Sequence, residues 1–182
     1  MTVDCFQLLE LPRRPWLDED EVRAQFQRLA GAAHPDGQQG NNAEFVALNQ
    51  AWQTLRSPTT RLRHYLDLTH PEVLQNTASC PAVSADLFME IAEAQQRANA
   101  IAGRCAEAKS PLTRAVLEPE RMATRKQLEA LAAKVTEESD RLHRQLQADA
   151  HLPTQLAAAL SQLVFLEKWS GQLRERLVAL DN

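Results

Sequence analysis

Apolar residues recur at helical spacing through most of the chain, and no segment alternates convincingly with period two. Val22, Phe26, Leu29 and Ala33 follow one another at steps of four, three and four, and Phe45, Leu48, Trp52 and Leu55 form a second stripe. Asp18, with Glu21 three residues on, is a start signal for the first helix. Pro35 disfavours helix at His34, so that helix is expected to stop there. Residues 37–42, Gly-Gln-Gln-Gly-Asn-Asn, carry no apolar anchor and read as an exposed loop. Ser57-Pro58 ends the second stripe before a short amphipathic run from Arg61 to Leu68. A first short element holding Phe6, Leu8 and Leu9 is broken by Leu11-Pro12-Arg13-Arg14-Pro15. Two helices whose apolar stripes face each other predict a small hairpin core over residues 1–68.

From Thr69 to Val83, Pro71, Asn76, Ser79 and Pro81 interrupt any periodicity, which predicts a linker over 69–83. Helical stretches follow at roughly 84–106, 119–148 and 154–180, with Ser84 and Thr154 as N-caps and an extra short helix starting at Ser110-Pro111. On the first of these, Leu87, Ile91, Ala94, Ala98, Ile101 and Cys105 fall in a narrow seam. The second carries Leu128, Leu131, Val135, Leu142 and Leu146, and the third Ala159, Leu163, Leu166, Leu173, Leu177 and Leu180. The expected fold is therefore all-α: an N-terminal helical hairpin with a loop at residues 34–36, then a C-terminal three-helix bundle over 84–182.

Composition agrees with that reading. Of 182 residues, 44% are hydrophobic, enough for a buried core, while only 5% are aromatic and five are glycine. A formal charge of -4, spread over both halves, supplies no concentrated basic surface and argues against nucleic acid as a partner. The start lacks a basic leader with an apolar run, and no stretch approaches the length that spans a membrane, so a cytoplasmic protein is expected. Cys5, Cys80 and Cys105 are too scattered for a disulfide framework or a zinc knuckle and read as reduced thiols. His64, His70, His143 and His151 lack metal-ligand spacing and read as surface or linker residues. With no glycine-rich phosphate loop, GxSxG or HExxH, neither an enzyme nor a bound cofactor is expected.

His34-Pro35-Asp36 lies between the two N-terminal stripes, preceded by Cys5-Phe6-Gln7-Leu8-Leu9-Glu10-Leu11 and followed by Phe45, Asn49-Gln50-Ala51-Trp52, Leu55, Pro58 and Arg61. This ordered set resembles the J-domain over residues 4–68. With Gln53-Thr54-Leu55-Arg56 and Tyr65-Leu66 it resembles the HscB family, DnaJ-type co-chaperones of iron-sulfur cluster assembly. The resemblance continues in Asp86-Leu87-Phe88-Met89-Glu90 and Phe165-Leu166-Glu167-Lys168, and is loosest from about 106 to 150. It implies that His34, Pro35 and Asp36, with Arg23 and Arg28 on the preceding helix, bind a DnaK/HscA-type chaperone and stimulate hydrolysis of its ATP. The physics suits the role: Pro35 stiffens the loop, and Asp36 is a charged acceptor whose hydrogen bond to a partner cation contributes about 1.5–3 kcal/mol. Ala32 and Gly37 stand where that family commonly has a basic residue. Arg13 and Arg14 either compensate for them or are ordinary solvated surface.

On the helix over 84–106, Phe88, Met89 and Ala92 lie well off the core seam, along with Glu93, Gln96 and Ala100. A large aromatic group and a methionine projecting outward mark a binding surface. Phe165 repeats the situation one position before the seam residue Leu166. The resemblance implies that Phe88, Met89, Ala92, Glu93, Gln96, Ala100 and Phe165 hold an IscU-like iron-sulfur scaffold protein. The family's face is bulkier and more acidic than Ala92, Gln96 and Ala100 make it here. Two other readings stay open: the two phenylalanines pack on the J-domain, or the tail recruits a different client.

Overall fold

The computed structural model describes residues 3–33, 42–75, 85–148 and 151–181. Among these there are eight helices and no strand: α1 Cys5–Leu8, α2 Glu19–Ala33, α3 Asn42–Leu55, α4 Pro58–Thr69, α5 Pro71–Gln75, α6 Ala85–Glu107, α7 Pro111–Ala148 and α8 Pro153–Asp181. The all-α class is as expected, and the chain divides into two compact units, 1–79 with 149–160 and 80–148 with 161–182. No helix of the described residues is long and apolar enough to cross a membrane.

The core of the first unit gathers Phe6, Leu9 and Leu11 with Val22 and Ala33 of α2 and Leu48, Ala51 and Leu55 of α3. Phe26, Leu29, Phe45 and Trp52 pack against it, so both sequence stripes face inward. Phe26 and Trp52 stack with ring centroids 5.0 Å apart, tying α2 to α3. Burying each such side chain contributes about 1.5–3 kcal/mol, which fixes the pairing of two helices that have no hydrogen-bonded ladder between them. Asp18 accepts from the backbone N–H groups of Asp20 and Glu21 at 2.9 and 3.0 Å, and α2 begins where that cap predicts.

Three boundaries differ from expectation. The first stretch of the expected linker, 69–83, is helical, because Pro71 sits at the first position of α5, where its missing N–H costs nothing. Leu152, not Thr154, precedes α8: Pro153 opens the helix, and the Leu152 N–H donates to Gln155 Oε1 at 2.9 Å. The expected short helix at Ser110-Pro111 and the long one from 119 are a single helix, α7, with Pro119 inside it. Ser110 caps it, accepting from the Thr113 N–H at 3.0 Å. The helix runs through Pro119 because its buried stripe is unbroken there: Leu117, Thr124, Leu128, Leu131 and Val135 are all buried, and that burial outweighs one lost hydrogen bond.

The second unit is a three-helix bundle of α6, α7 and the part of α8 from Ser161 onward. Its core joins Ile91, Ala94, Ala98 and Ile101 of α6 to the α7 stripe and to Leu166, Trp169, Leu173 and Leu180 of α8. Lys134 pairs with Glu90 at 2.7 Å, and Gln95 donates to Gln172 at 3.2 Å, setting α6 against α7 and α8.

Candidate functional site

His34, Pro35 and Asp36 lie outside the described residues, as does Gly37; what the structure describes is the scaffold on either side. α2 ends at Ala33 and α3 begins at Asn42. Arg23 and Arg28 are exposed on α2 but five positions apart, which turns them about 140° from each other around the helix. Arg23 pairs with Asp20 at 3.0 Å, while Arg28 pairs with Glu10 and bonds Gln25 at 3.0 Å. Two exposed cations, each partly neutralised by a neighbour, steer weakly. Ala32 is exposed as well, and contributes no charge.

The connection between α1 and α2 is held from three sides. Asp4 caps α1, accepting from the Phe6 and Gln7 N–H groups at 3.0 and 3.2 Å, and pairs with Arg13. Burial pushes its carboxyl up, but the Arg13 guanidinium and the two N–H groups outweigh this and hold its pKa below the usual range. Arg13 is therefore engaged within the chain. At the other end of α1, the Leu11 N–H reaches Phe6 O at 2.9 Å and the Glu10 N–H reaches Gln7 O at 3.1 Å. This Schellman closure puts Glu10 at φ 53°, in the left-handed region. Arg61 of α4 is only 2% exposed, and its guanidinium donates to Pro15 O at 3.0 Å and Leu55 O at 3.1 Å. One buried side chain thus pins the α1–α2 connection to the end of α3.

His64 corrects the surface reading made from the sequence. It is 8% exposed, stacks on Phe6 with centroids 5.6 Å apart, and accepts the Cys5 N–H at Nε2 over 3.0 Å. Burial pushes its pKa down, against the pull of Asp4 and Asp67. Position 64 falls on the inner face of α4 with Arg61, and the apolar stripe alone does not mark it because both residues are polar.

In the second unit Phe88, Met89 and Phe165 are 52%, 55% and 39% exposed, while Ala92 is half-buried and Glu93, Gln96 and Ala100 are exposed. The α6 seam Leu87, Ile91, Ala94, Ala98, Ile101 and Cys105 faces the core, so this set occupies the outer side of the same helix. Phe88 and Phe165, from different helices, both touch Trp169: centroids lie 6.1 Å apart at 42° and 6.2 Å apart at 75°. Glu93 pairs with Arg97 at 3.3 Å. The patch is therefore aromatic and nearly neutral. The leucine and alanine stripe of α8 does not by itself mark Trp169, although it sits three residues after Leu166 and four before Leu173, on the seam itself.

A family model described as the DnaJ domain matches residues 4–65, a span that includes α1 to α3, most of α4, and His34, Pro35 and Asp36. Residues 4–65 are a DnaJ domain. Arg23, Arg28, Arg61 and His64 all belong to it. Over nearly the full length, the chain is similar in fold to the chaperone HscB from Vibrio cholerae, with TM-score 0.50 and 20% identity, covering 95% of this chain and 96% of that one. It is likewise similar to human co-chaperone protein HscB, with TM-score 0.50 and 20% identity, covering 96% of this chain and 82% of that one. A DnaJ domain followed by a helical bundle is thus the architecture of this chain, and the aromatic patch lies on the bundle.

Proposed function

We propose that the chain is a co-chaperone that stimulates ATP hydrolysis by a DnaK/HscA-type chaperone and delivers an IscU-like iron-sulfur scaffold protein to it. The observation that carries the first half is the DnaJ domain containing His34, Pro35 and Asp36. In this reading His34, Pro35 and Asp36, with Arg23 and Arg28, address the chaperone, and the hydrolytic chemistry belongs to that partner. Residues 1–68 are the chaperone-facing part, 69–83 connect, and 84–182 carry the client; the work is cytoplasmic.

The scaffold assignment is supported by the HscB-like fold and by the exposure of Phe88, Met89 and Phe165. Recognition would centre on these three, with Ala92, Glu93, Gln96 and Ala100 around them, because a few large apolar groups dominate most interfaces. A second reading, a different client, is favoured by one observation: Glu93 is engaged by Arg97, and Gln96 and Ala100 bring no charge.

A steady-state ATPase assay with a DnaK/HscA-type chaperone tests the first half. Stimulation is expected from the intact chain and absent from Asp36→Asn and His34→Gln variants that keep their helical circular dichroism; unchanged stimulation sinks it. Pull-down of an IscU-type scaffold separates the two client readings. Phe88→Ala or Met89→Ala should weaken that capture while leaving basal ATPase stimulation intact.

A further inference from the structure

We infer that Trp169 is the positioning residue of the client surface, holding Phe88 of α6 and Phe165 of α8 as one preorganised aromatic clasp that selects an apolar, uncharged segment of the partner. The inference rests on the client reading above and adds to it both a residue and the chemistry of what is recognised.

Trp169 is 6% exposed and belongs to the bundle core with Leu166 and Leu173. It follows Phe165 by one helical turn, so the indole lies beneath that ring, which meets it edge-on. The same indole is tilted against Phe88 across the groove between two helices. An exposed phenylalanine alone samples several rotamers, and a partner must freeze it on binding. Two such rings that share one buried neighbour have already lost part of that freedom. Contact with a common ring, edge-on for Phe165 and tilted for Phe88, also fixes their mutual spacing, which isolated surface side chains do not have. A core residue of this kind transmits bundle packing directly to the exposed surface.

Charge points to the kind of segment that fits. Of the acids beside the aromatic groups on α6, Glu90 and Glu93 are paired within the chain, with Lys134 and Arg97, while Asp86 is exposed in the first turn of the helix. Gln96 and Ala100 are neutral. A basic partner segment would have to compete with existing ion pairs at Glu90 and Glu93, the acids nearest Phe88 and Met89 on the C-terminal side, whereas an apolar side chain against Phe88 and Phe165 displaces only water.

The test uses the full chain with Trp169→Phe, which keeps a ring, and Trp169→Leu, which stays apolar without one. Side-chain scalar couplings by NMR should report a single χ1 rotamer for Phe88 and Phe165 in the native chain and in Trp169→Phe, and averaging in Trp169→Leu. Affinity for an IscU-type scaffold should fall roughly tenfold in Trp169→Leu and much less in Trp169→Phe, with chaperone ATPase stimulation unchanged in both. Native affinity should change less than about twofold from low to high salt. Couplings that are the same in all three chains, or equal losses of affinity in both variants, overturn the role of Trp169. A steep salt dependence overturns the apolar segment. A native chain that does not bind the scaffold removes that client from the proposed function, and the coupling comparison still decides whether Trp169 positions the two rings.

Discussion

The backbone N–H of Cys5 donates to Nε2 of His64 at 3.0 Å, joining the first turn of α1 to the inner face of α4. Only neutral imidazole can accept at that atom, so proton uptake would remove the bond and leave a buried N–H unpaired, at a cost of about 1–3 kcal/mol. Burial pushes the folded-state pKa of His64 below its ordinary 6.5. Above 6.5 both the folded and unfolded states are neutral, and the contribution is fully present. As pH falls below 6.5 the unfolded chain binds the proton first, and stability is lost down through the folded-state pKa. His64→Phe keeps a ring on Phe6 but removes the acceptor and the titration. Urea unfolding across a pH series should show the variant less stable at neutral pH, with the gap to the native chain narrowing as pH drops below 6.5. A gap independent of pH would exclude His64 as the titrating group.

Glu10 occupies the left-handed position of the Schellman closure, where a side chain is strained and glycine is not. It also neutralises Arg28 on α2, the helix proposed to meet the chaperone, through an exposed ion pair worth little to stability. Glu10→Gly should raise thermal stability by about 0.5–1 kcal/mol. It should also speed association with a DnaK/HscA-type chaperone at low salt, an advantage that disappears at high salt. Glu10→Gln separates the two effects: it frees Arg28 without relieving the backbone. Stopped-flow binding and calorimetry read them independently.

The stripes of α2 and α3 and the seam of α6 were legible because each buries a regular row of apolar side chains, and periodicity reports that directly. Phe88 and Met89 were legible as outward-facing for the same reason. His64 and Arg61 were not, since both bury polar groups whose partners, the Cys5 N–H and the carbonyls of Pro15 and Leu55, lie far away in sequence. The separate short helix expected from Ser110-Pro111 does not exist, because burial on both sides of Pro119 carries a single helix through it. Trp169 stands on the α8 seam, but its role depends on a ring from another helix, which no single-helix pattern contains.

Arg61 is a buried cation whose guanidinium bridges two backbone carbonyls rather than a carboxylate. Burial presses its pKa down, with Glu19 opposing. Arg61→Ala should cost about 2–4 kcal/mol, by opening a cavity and leaving both carbonyls without their donor. Arg61→Met refills most of the volume and removes the buried charge, so it should cost clearly less. Thermal melts followed by circular dichroism give both values. Equal losses in the two variants would mean that the hydrogen bonds, and not packing, account for the contribution of Arg61.

Pro119 has no N–H to offer the carbonyl of Ala115 one turn earlier, and in a helix interior proline costs up to about 3 kcal/mol relative to alanine. α7 nevertheless continues through it, and residues 115, 119 and 123 are all on the exposed side, where water can satisfy the free carbonyl. Solvation lowers the penalty, and the unfolded chain gains freedom when proline is replaced. Pro119→Ala is therefore expected to stabilise the bundle by about 1–2 kcal/mol. Hydrogen exchange should find the new amide at 119 protected along with its neighbours in α7. Because the buried stripe from Leu117 to Val135 is untouched, scaffold capture and chaperone stimulation should stay at native levels. A loss of stability would instead mean that the rigid φ of proline at 119 is needed to bring Leu117 and Leu128 into the same core.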